Sequence, residues 1–318
     1  MDRGKKRNKR LYGFMVIGVS IGLLAGLVSR LEWDAVARVF QAADGRYFTL
    51  AAFLATQLPL VTAWRWLGTL QAQGAVFPFA RAVQGVMIAA VLNSFLPSKG
   101  GDLAKVFFIR HRAGLASGAG TVVLERLVDL FCLGLLGLLG YALSHETAGL
   151  FAGLVLSGGV LAVFVLVLRL SPEKFLPQGK ARLKASEFRL VFLRWSTMPG
   201  AIAQTLAGSL ANWLLGGLVV VCLLLAFGRP DVCGYGLAIY PIAVLVGLVP
   251  VSISGVGTRD TAFALFLAPR IGPDQAILVG LGYTVIAYWF LSLFALPFCL
   301  AEIRGYLRSL KQQTPDRP

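Results

Sequence analysis

Three short runs of charged and hydrogen-bonding residues interrupt a sequence that is otherwise apolar, and their residue types suit the handling of an anion. The first is Asn93-Ser94-Phe95-Leu96-Pro97-Ser98-Lys99-Gly100-Gly101-Asp102, with Lys105 one helical turn later. Asn93, Ser94 and Ser98 supply hydrogen-bonding groups, Gly100-Gly101 lets the backbone turn tightly, and Asp102 is placed to cap a following helix. The second is Glu125-Arg126-Leu127-Val128-Asp129. On a helix Glu125 and Asp129 share one face, and Arg126 lies three residues before Asp129. Such a set is costly at the start of a membrane span unless it is paired or hydrated. It predicts a salt-bridged staple to a neighbouring hairpin or a wet pathway, and the two are compatible. The third run is Pro250-Val251-Ser252-Ile253-Ser254-Gly255-Val256-Gly257-Thr258-Arg259-Asp260. Ser252, Ser254 and Thr258 are candidate caps there, and free backbone N–H groups at a helix start attract anions. Backbone amides together with Lys99 or Arg259 would suit a phosphate.

Bond-making chemistry finds little support. Cys132, Cys222, Cys233 and Cys299 match no metal or redox spacing, and three of them lie in apolar runs, where a thiol is a small hydrophobe. His111 stands between Arg110 and Arg112, and His145 sits in a short loop. The acid–base groups in the three runs are Asp102, Glu125, Asp129 and Asp260, with no nucleophile–base pair or metal-ligand set beside them. The phosphate loop Gly-x-x-x-x-Gly-Lys-Ser/Thr does not occur. The expectation is a protein that is not an enzyme and has no cofactor or metal.

The elements that must position these runs are membrane helices. Hydrophobic residues make up 57% of the 318, and charged residues 14%. A soluble domain has roughly 45–50% and about 25%. The basic start MDRGKKRNKR leads into an apolar stretch, 11–28. It reads as an uncleaved first span, because the small-residue run Ala35-Val36-Ala37 comes only after Arg30, Glu32 and Asp34. Gly18, Gly22 and Gly26 recur on one helix face and predict close approach of a neighbour there. Five more stretches reach the length of a span: 47–63, 117–143, 149–168, 200–227 and 275–301. Two others, 82–112 and 235–269, are apolar but broken by the first and third runs.

Charge decides how the broken stretches cross. The net charge is +15, yet no nucleic-acid motif is present, and Lys and Arg gather at the ends of apolar runs. If each broken stretch enters and leaves on one side, segments 1–10, 64–81, 97–126, 169–199 and 302–318 hold 24 of the Lys and Arg residues and the opposite side holds 6. If they crossed fully, Lys105, Arg110 and Arg112 would change sides. The positive-inside rule therefore predicts six full spans, two re-entrant broken-helix hairpins and two cytoplasmic termini, in the plasma (inner) membrane of a prokaryote. The fold class is an all-α integral membrane protein: a single polytopic domain, 1–318, with inverted halves at about 11–143 and 149–301, a repeat common in transporters. Segment 169–199 is a basic cytoplasmic loop, and Lys174 to Arg194 reads as an interfacial helix on anionic lipid. Trp64, Trp66, Trp195 and Tyr47 fall where interfacial aromatic anchors belong.

The run from Leu92 to Asp102, then Glu125 to Asp129, then Gly255 to Asp260, in that order and rough spacing, resembles the flippase-like family that includes the transmembrane region of lysylphosphatidylglycerol synthase. The resemblance covers nearly the whole chain. Family members often carry an acidic residue after the last Gly-rich motif, which Asp260 would supply, and often Arg where this chain has Lys105. The resemblance implies movement of a phospholipid or a lipid-linked molecule, of polyprenyl-phosphate or hopanoid type, between leaflets. It does not imply aminoacyl transfer, which in the synthase belongs to a separate soluble domain. The substrate-binding and translocation residues so expected are Asn93, Pro97, Lys99, Gly101, Asp102, Lys105, Glu125, Arg126, Asp129, Pro250, Ser254, Gly257, Arg259 and Asp260. The expected partners are membrane lipids with an anionic or phosphate-bearing head group, not nucleic acid. The alternative is a non-catalytic subunit that presents lipid to a lipid-modifying enzyme or glycosyltransferase of envelope biosynthesis.

Overall fold

Proline and glycine set most of the boundaries between the helices. The computed structural model describes residues 2–96, 100–106, 109, 114–171, 174 and 177–313, and for 2–14 and 306–313 the backbone alone. The helices are α1 (Asp2–Val28), α2 (Trp33–Ala42), α3 (Gly45–Gln71), α4 (Phe79–Asn93), α5 (Leu115–Ser144), α6 (Thr147–Arg169), α7 (Lys180–Ser196), α8 (Pro199–Ala226), α9 (Cys233–Leu248), α10 (Thr258–Ile271), α11 (Pro273–Thr284) and α12 (Leu291–Gln313). Pro199 and Pro273 open α8 and α11 at the first turn, where a missing N–H costs nothing. Gly114 and Gly272 flank helices with positive φ. Among the described residues there is no strand.

Among the described residues, five helices are long and apolar enough to cross a membrane: Gly45–Gln71, Thr147–Arg169, Pro199–Ala226, Pro230–Leu248 and Pro273–Gly305. The pair α1 and α2, bent by 80° at residues 29–32, would make a sixth. Four of the five coincide with expected spans, and the expected stretch 117–143 lies inside the 30-residue α5. The fifth differs from expectation. Residues Pro230–Leu248 form a 19-residue apolar segment, full span length, where the sequence reading had one limb of a hairpin. The two expected breaks are present. α4 ends at Asn93, and Gly100–Leu103 is a single 3₁₀ turn; α9 ends at Leu248, and α10 begins at Thr258.

In lipid, apolar surface gives little drive for helices to associate, so close backbone packing and interhelical hydrogen bonds must hold the bundle together. α5 and α6 show how. Gly134 and Gly137 face Gly153 and Gly149; a methyl group added at Gly134 or Gly137 would stand 3.0 Å from the carbonyl oxygen of Gly153 or Gly149. The core runs through Leu124, Val128 and Leu133 of α5, Val220 and Leu223 of α8 and Tyr240 of α9. Large apolar side chains such as Phe151 and Leu293 point outward, as lipid-facing residues do. The glycine face of α1 does not behave as expected: nothing lies within 4 Å of where a side chain would begin at Gly18, Gly22 or Gly26. Trp66 and Trp195, expected as interfacial anchors, are buried in the bundle; Trp64 is exposed.

Candidate functional site

The two breaks meet. The Ser254 hydroxyl of the second donates to the carbonyl of Asn93, the last residue of α4, at 2.6 Å. Glycines let each break pack closely on a neighbouring helix. Gly101 packs so tightly that a side chain would begin 2.6 Å from the Ala89 carbonyl oxygen and the Asn93 nitrogen. Gly257 has φ +85°, and a side chain there would collide with Leu23 of α1. α1 contributes one more tie, since the Ile253 N–H donates to Ser20 Oγ at 2.7 Å.

Around the first break the charges are paired in one network. Lys105 Nζ donates to Glu125 Oε2 at 2.7 Å. Arg65 of α3 reaches the same Glu125 at 3.6 Å and bonds Asp129. Arg126 bridges Asp102 and Asp129, the latter at 3.3 Å. Asp129 also accepts from Ser209 Oγ at 3.0 Å and from Trp213 Nε1 at 2.9 Å, both on α8. Asn93 Nδ2 donates to Asp102 at 3.0 Å. Among the described residues, three bases and three acids face one another in this network. A buried charge is tolerated only when paired and hydrogen-bonded, so this network staples α3, α5, α8 and the first break together. The Asp102 carboxylate accepts from Asn93 and pairs with Arg126.

The second break carries its own balanced pair. Asp260 accepts from the Gly257 N–H at 3.0 Å and from Thr284 Oγ1 at 2.6 Å, and lies 3.6 Å from the Arg259 guanidinium. Arg259 in turn donates to Thr284 Oγ1 and to the Ser254 carbonyl. Its guanidinium stacks 4.9 Å from the Tyr283 ring and 4.1 Å from the Tyr288 ring. Tyr283 precedes, and Tyr288 lies within, a π turn, Val285–Phe290, that joins α11 to α12. The start of α10 is thus filled by the chain's own Asp260, and Arg259 is buried.

Between the two clusters lies a cavity of about 120 Å³. Asn93, Asp102, Arg126 and Asp129 line one wall, Tyr240, Tyr283 and Tyr288 another, with Trp213 and Asn212 beside them. That is room for several waters or a piece of a head group. The Arg126 side chain is 28% exposed, whereas those of Arg65, Lys105 and Arg259 are at most 2% exposed. Arg126 is accordingly the base in this wall best placed to meet a ligand.

Of the residues expected from the sequence, Asn93, Asp102, Arg126 and Asp129 line the cavity; Lys105 and Glu125 stand behind them. Gly101, Ser254, Gly257, Arg259 and Asp260 shape the junction from outside its lining. Pro250 is exposed at the tip of the second break. Pro97 and Lys99 lie outside the described residues, as do Arg110, His111 and Arg112. The sequence reading missed Arg65, which it placed among cytoplasmic loop charges, together with Trp213 and the three tyrosines. An Arg far inside the long apolar helix α3, nineteen residues beyond Arg46 at its start, was the available signal.

The family model for the lysylphosphatidylglycerol synthase TM region matches residues 13–295. The chain belongs to this family. The match spans both breaks, the Glu125–Asp129 turn and every residue of the cavity wall. This member of the synthase TM-region family is also similar to the UPF0104 membrane protein of Pyrococcus horikoshii, at 24% identity over 316 residues, covering 87% of this chain and 93% of that protein. It is a multi-pass membrane protein.

Proposed function

We propose that this chain is a flippase-like lipid transporter of a prokaryotic plasma membrane, with both termini cytoplasmic and no enzymatic activity of its own. The observation that carries the reading is a charge-lined cavity inside an otherwise apolar helical body, where two chain breaks touch. Non-helical backbone at membrane depth is tolerated where it is enclosed by protein or lines a wet space. Broken helices from two halves that meet at one site are a transporter feature, and we read 11–143 and 149–301 as such inverted halves. The family takes its name from an enzyme of an aminoacylated phospholipid, which supports a phosphate-bearing lipid as cargo.

In the mechanism, the lipid phosphate competes with Asp102 and Asp129 for Arg126, and Asn93 and Asn212 offer hydrogen bonds to the rest of the head group. The ion pairs hold Arg126 in place without leaving a bare charge in a low-dielectric setting. The hydrocarbon chains remain in the bilayer while the head group passes.

Proteoliposomes carrying a trace of fluorescent phosphatidylglycerol test this by the fraction accessible to a membrane-impermeant quencher over time. The protein should speed exchange between leaflets, and Arg126→Gln should slow it about tenfold, the effect of losing roughly 1.4 kcal/mol of head-group binding in the rate-limiting state. Wild-type liposomes no faster than protein-free ones would overturn transport and favour a subunit that presents lipid to a partner enzyme.

A further inference from the structure

A second cavity, of about 230 Å³, lies away from the ion pairs. It is walled by Val128 and Phe131 of α5, Val160, Leu161 and Phe164 of α6, Trp195 of α7 and Leu206 of α8. No polar side chain lines it. Leu161 is 59% exposed at its mouth, so the groove opens on the outer surface of the bundle. Phe164 stacks on Trp195 with ring centroids 5.5 Å apart and closes the inner end.

What covers this groove is indicated by the charges at one end of it. Arg169 ends α6 eight residues beyond Leu161, about 12 Å along the axis. Arg194 precedes Trp195 on α7, and both Arg169 and Arg194 are exposed. Arg189, by contrast, is committed: its guanidinium donates to the carbonyls of Val167 and Leu168 at 3.0 and 2.9 Å, and so docks α7 on the end of α6. Arg169 therefore ends about 12 Å along α6 from an apolar slot, within the roughly 15 Å depth of one hydrocarbon leaflet, and Arg194 adjoins the Trp195 that walls it.

We propose that this groove is a binding site for an anionic phospholipid, one hydrocarbon chain lying between α5, α6 and α8 and the phosphate resting on Arg169 and Arg194. Neither the position of this site nor its occupancy depends on transport through the ion-paired cavity. The two sites do share α5, because Val128 lines the groove and Asp129 the cavity. A lipid held here braces the helix that carries Glu125, Arg126 and Asp129.

The test uses the purified full chain in a neutral detergent, with phospholipid brominated on its chains added at low mole fraction. Brominated phosphatidylglycerol should quench tryptophan fluorescence more strongly than brominated phosphatidylcholine at equal mole fraction. The excess should vanish in Trp195→Phe, which removes the reporter. Leu161→Phe fills the mouth at an exposed position that does not threaten folding, and it should abolish the excess while five other parent tryptophans still report. Arg169→Gln with Arg194→Gln should weaken the apparent affinity for phosphatidylglycerol about fivefold per residue, leaving phosphatidylcholine unchanged. Equal quenching by the two lipids would mean bulk lipid only and would overturn the proposal. So would an excess that survives Leu161→Phe, or one displaced by a second copy of the chain as protein concentration rises. None of these readings involves translocation, so a protein that moves no lipid can still pass this test.

Discussion

Replacing Arg65 with Met tests whether the buried network holds the bundle together. Arg65 sits between Glu125 and Asp129 with almost no exposure, and Met preserves length while removing the charge. The described network then carries one excess negative charge. Breaking a buried pair from one side costs about 3–5 kcal/mol, because the partner stays buried and uncompensated. Here Asp129 keeps Arg126, Ser209 and Trp213, and Glu125 keeps Lys105, which argues for the lower end, about 3 kcal/mol. With about 2.1 cal/mol/K of unfolding entropy per residue over 318 residues, this corresponds to a fall of roughly 4–5 °C in Tm. The assay is thermal unfolding of the purified chain in one detergent, for wild type, Arg65→Met, Asp129→Asn and the double variant. The double variant restores charge balance, so its loss should fall short of the summed single losses by at least about 1.5 kcal/mol. An Arg65→Met protein within 1 °C of wild type on such a scale of about 1.5 °C per kcal/mol, or strictly additive losses, would refute the network as a stabilising unit.

Other outcomes follow from single contacts. Gly208→Ala would place a methyl group 2.6 Å from Arg65 Cβ, so it should cost about 1–3 kcal/mol and lower Tm even though it leaves every charge in place. Ser254→Ala removes the hydroxyl that joins the two breaks; stability should drop by about 1 kcal/mol, and amide exchange should quicken between residues 249 and 257, measured by mass spectrometry. Thr284→Val leaves Asp260 and Arg259 without their shared hydroxyl and should destabilise by about 1–3 kcal/mol, whereas Thr284→Ser should recover most of the loss.

The membrane character and both breaks were legible because they rest on local signals: long apolar runs, and Pro, Gly and hydroxyl residues that stop helices. The pairing of Arg126 with Asp129 was legible too, since a spacing of three on one helix fixes it. Arg65 was not. Its partners lie 60 and 64 positions away on α5, and its position after Trp64 looks like the end of a span until α3 is seen to continue to Gln71. Arg259 was expected to face a phosphate on the strength of its charge and its place in the run. What a sequence of residue types does not carry is that Tyr283 and Tyr288 stand between it and the cavity. The limb Pro230–Leu248 was read short because the apolar stretch was begun at residue 235 and the charge count made it one limb of a re-entrant hairpin.

Tyr283 and Tyr288 are five residues apart, and on a regular α-helix five residues rotate by about 500°, leaving the two side chains some 140° out of phase. Both nonetheless flank one guanidinium. The wider winding at Val285–Phe290 absorbs most of that mismatch. The aromatic wall is thus tied to residue count as much as to residue type: deleting Ile286 would leave the tyrosines four apart, about 40° out of phase on a regular α-helix, so they would keep to one face and the π turn would no longer be needed.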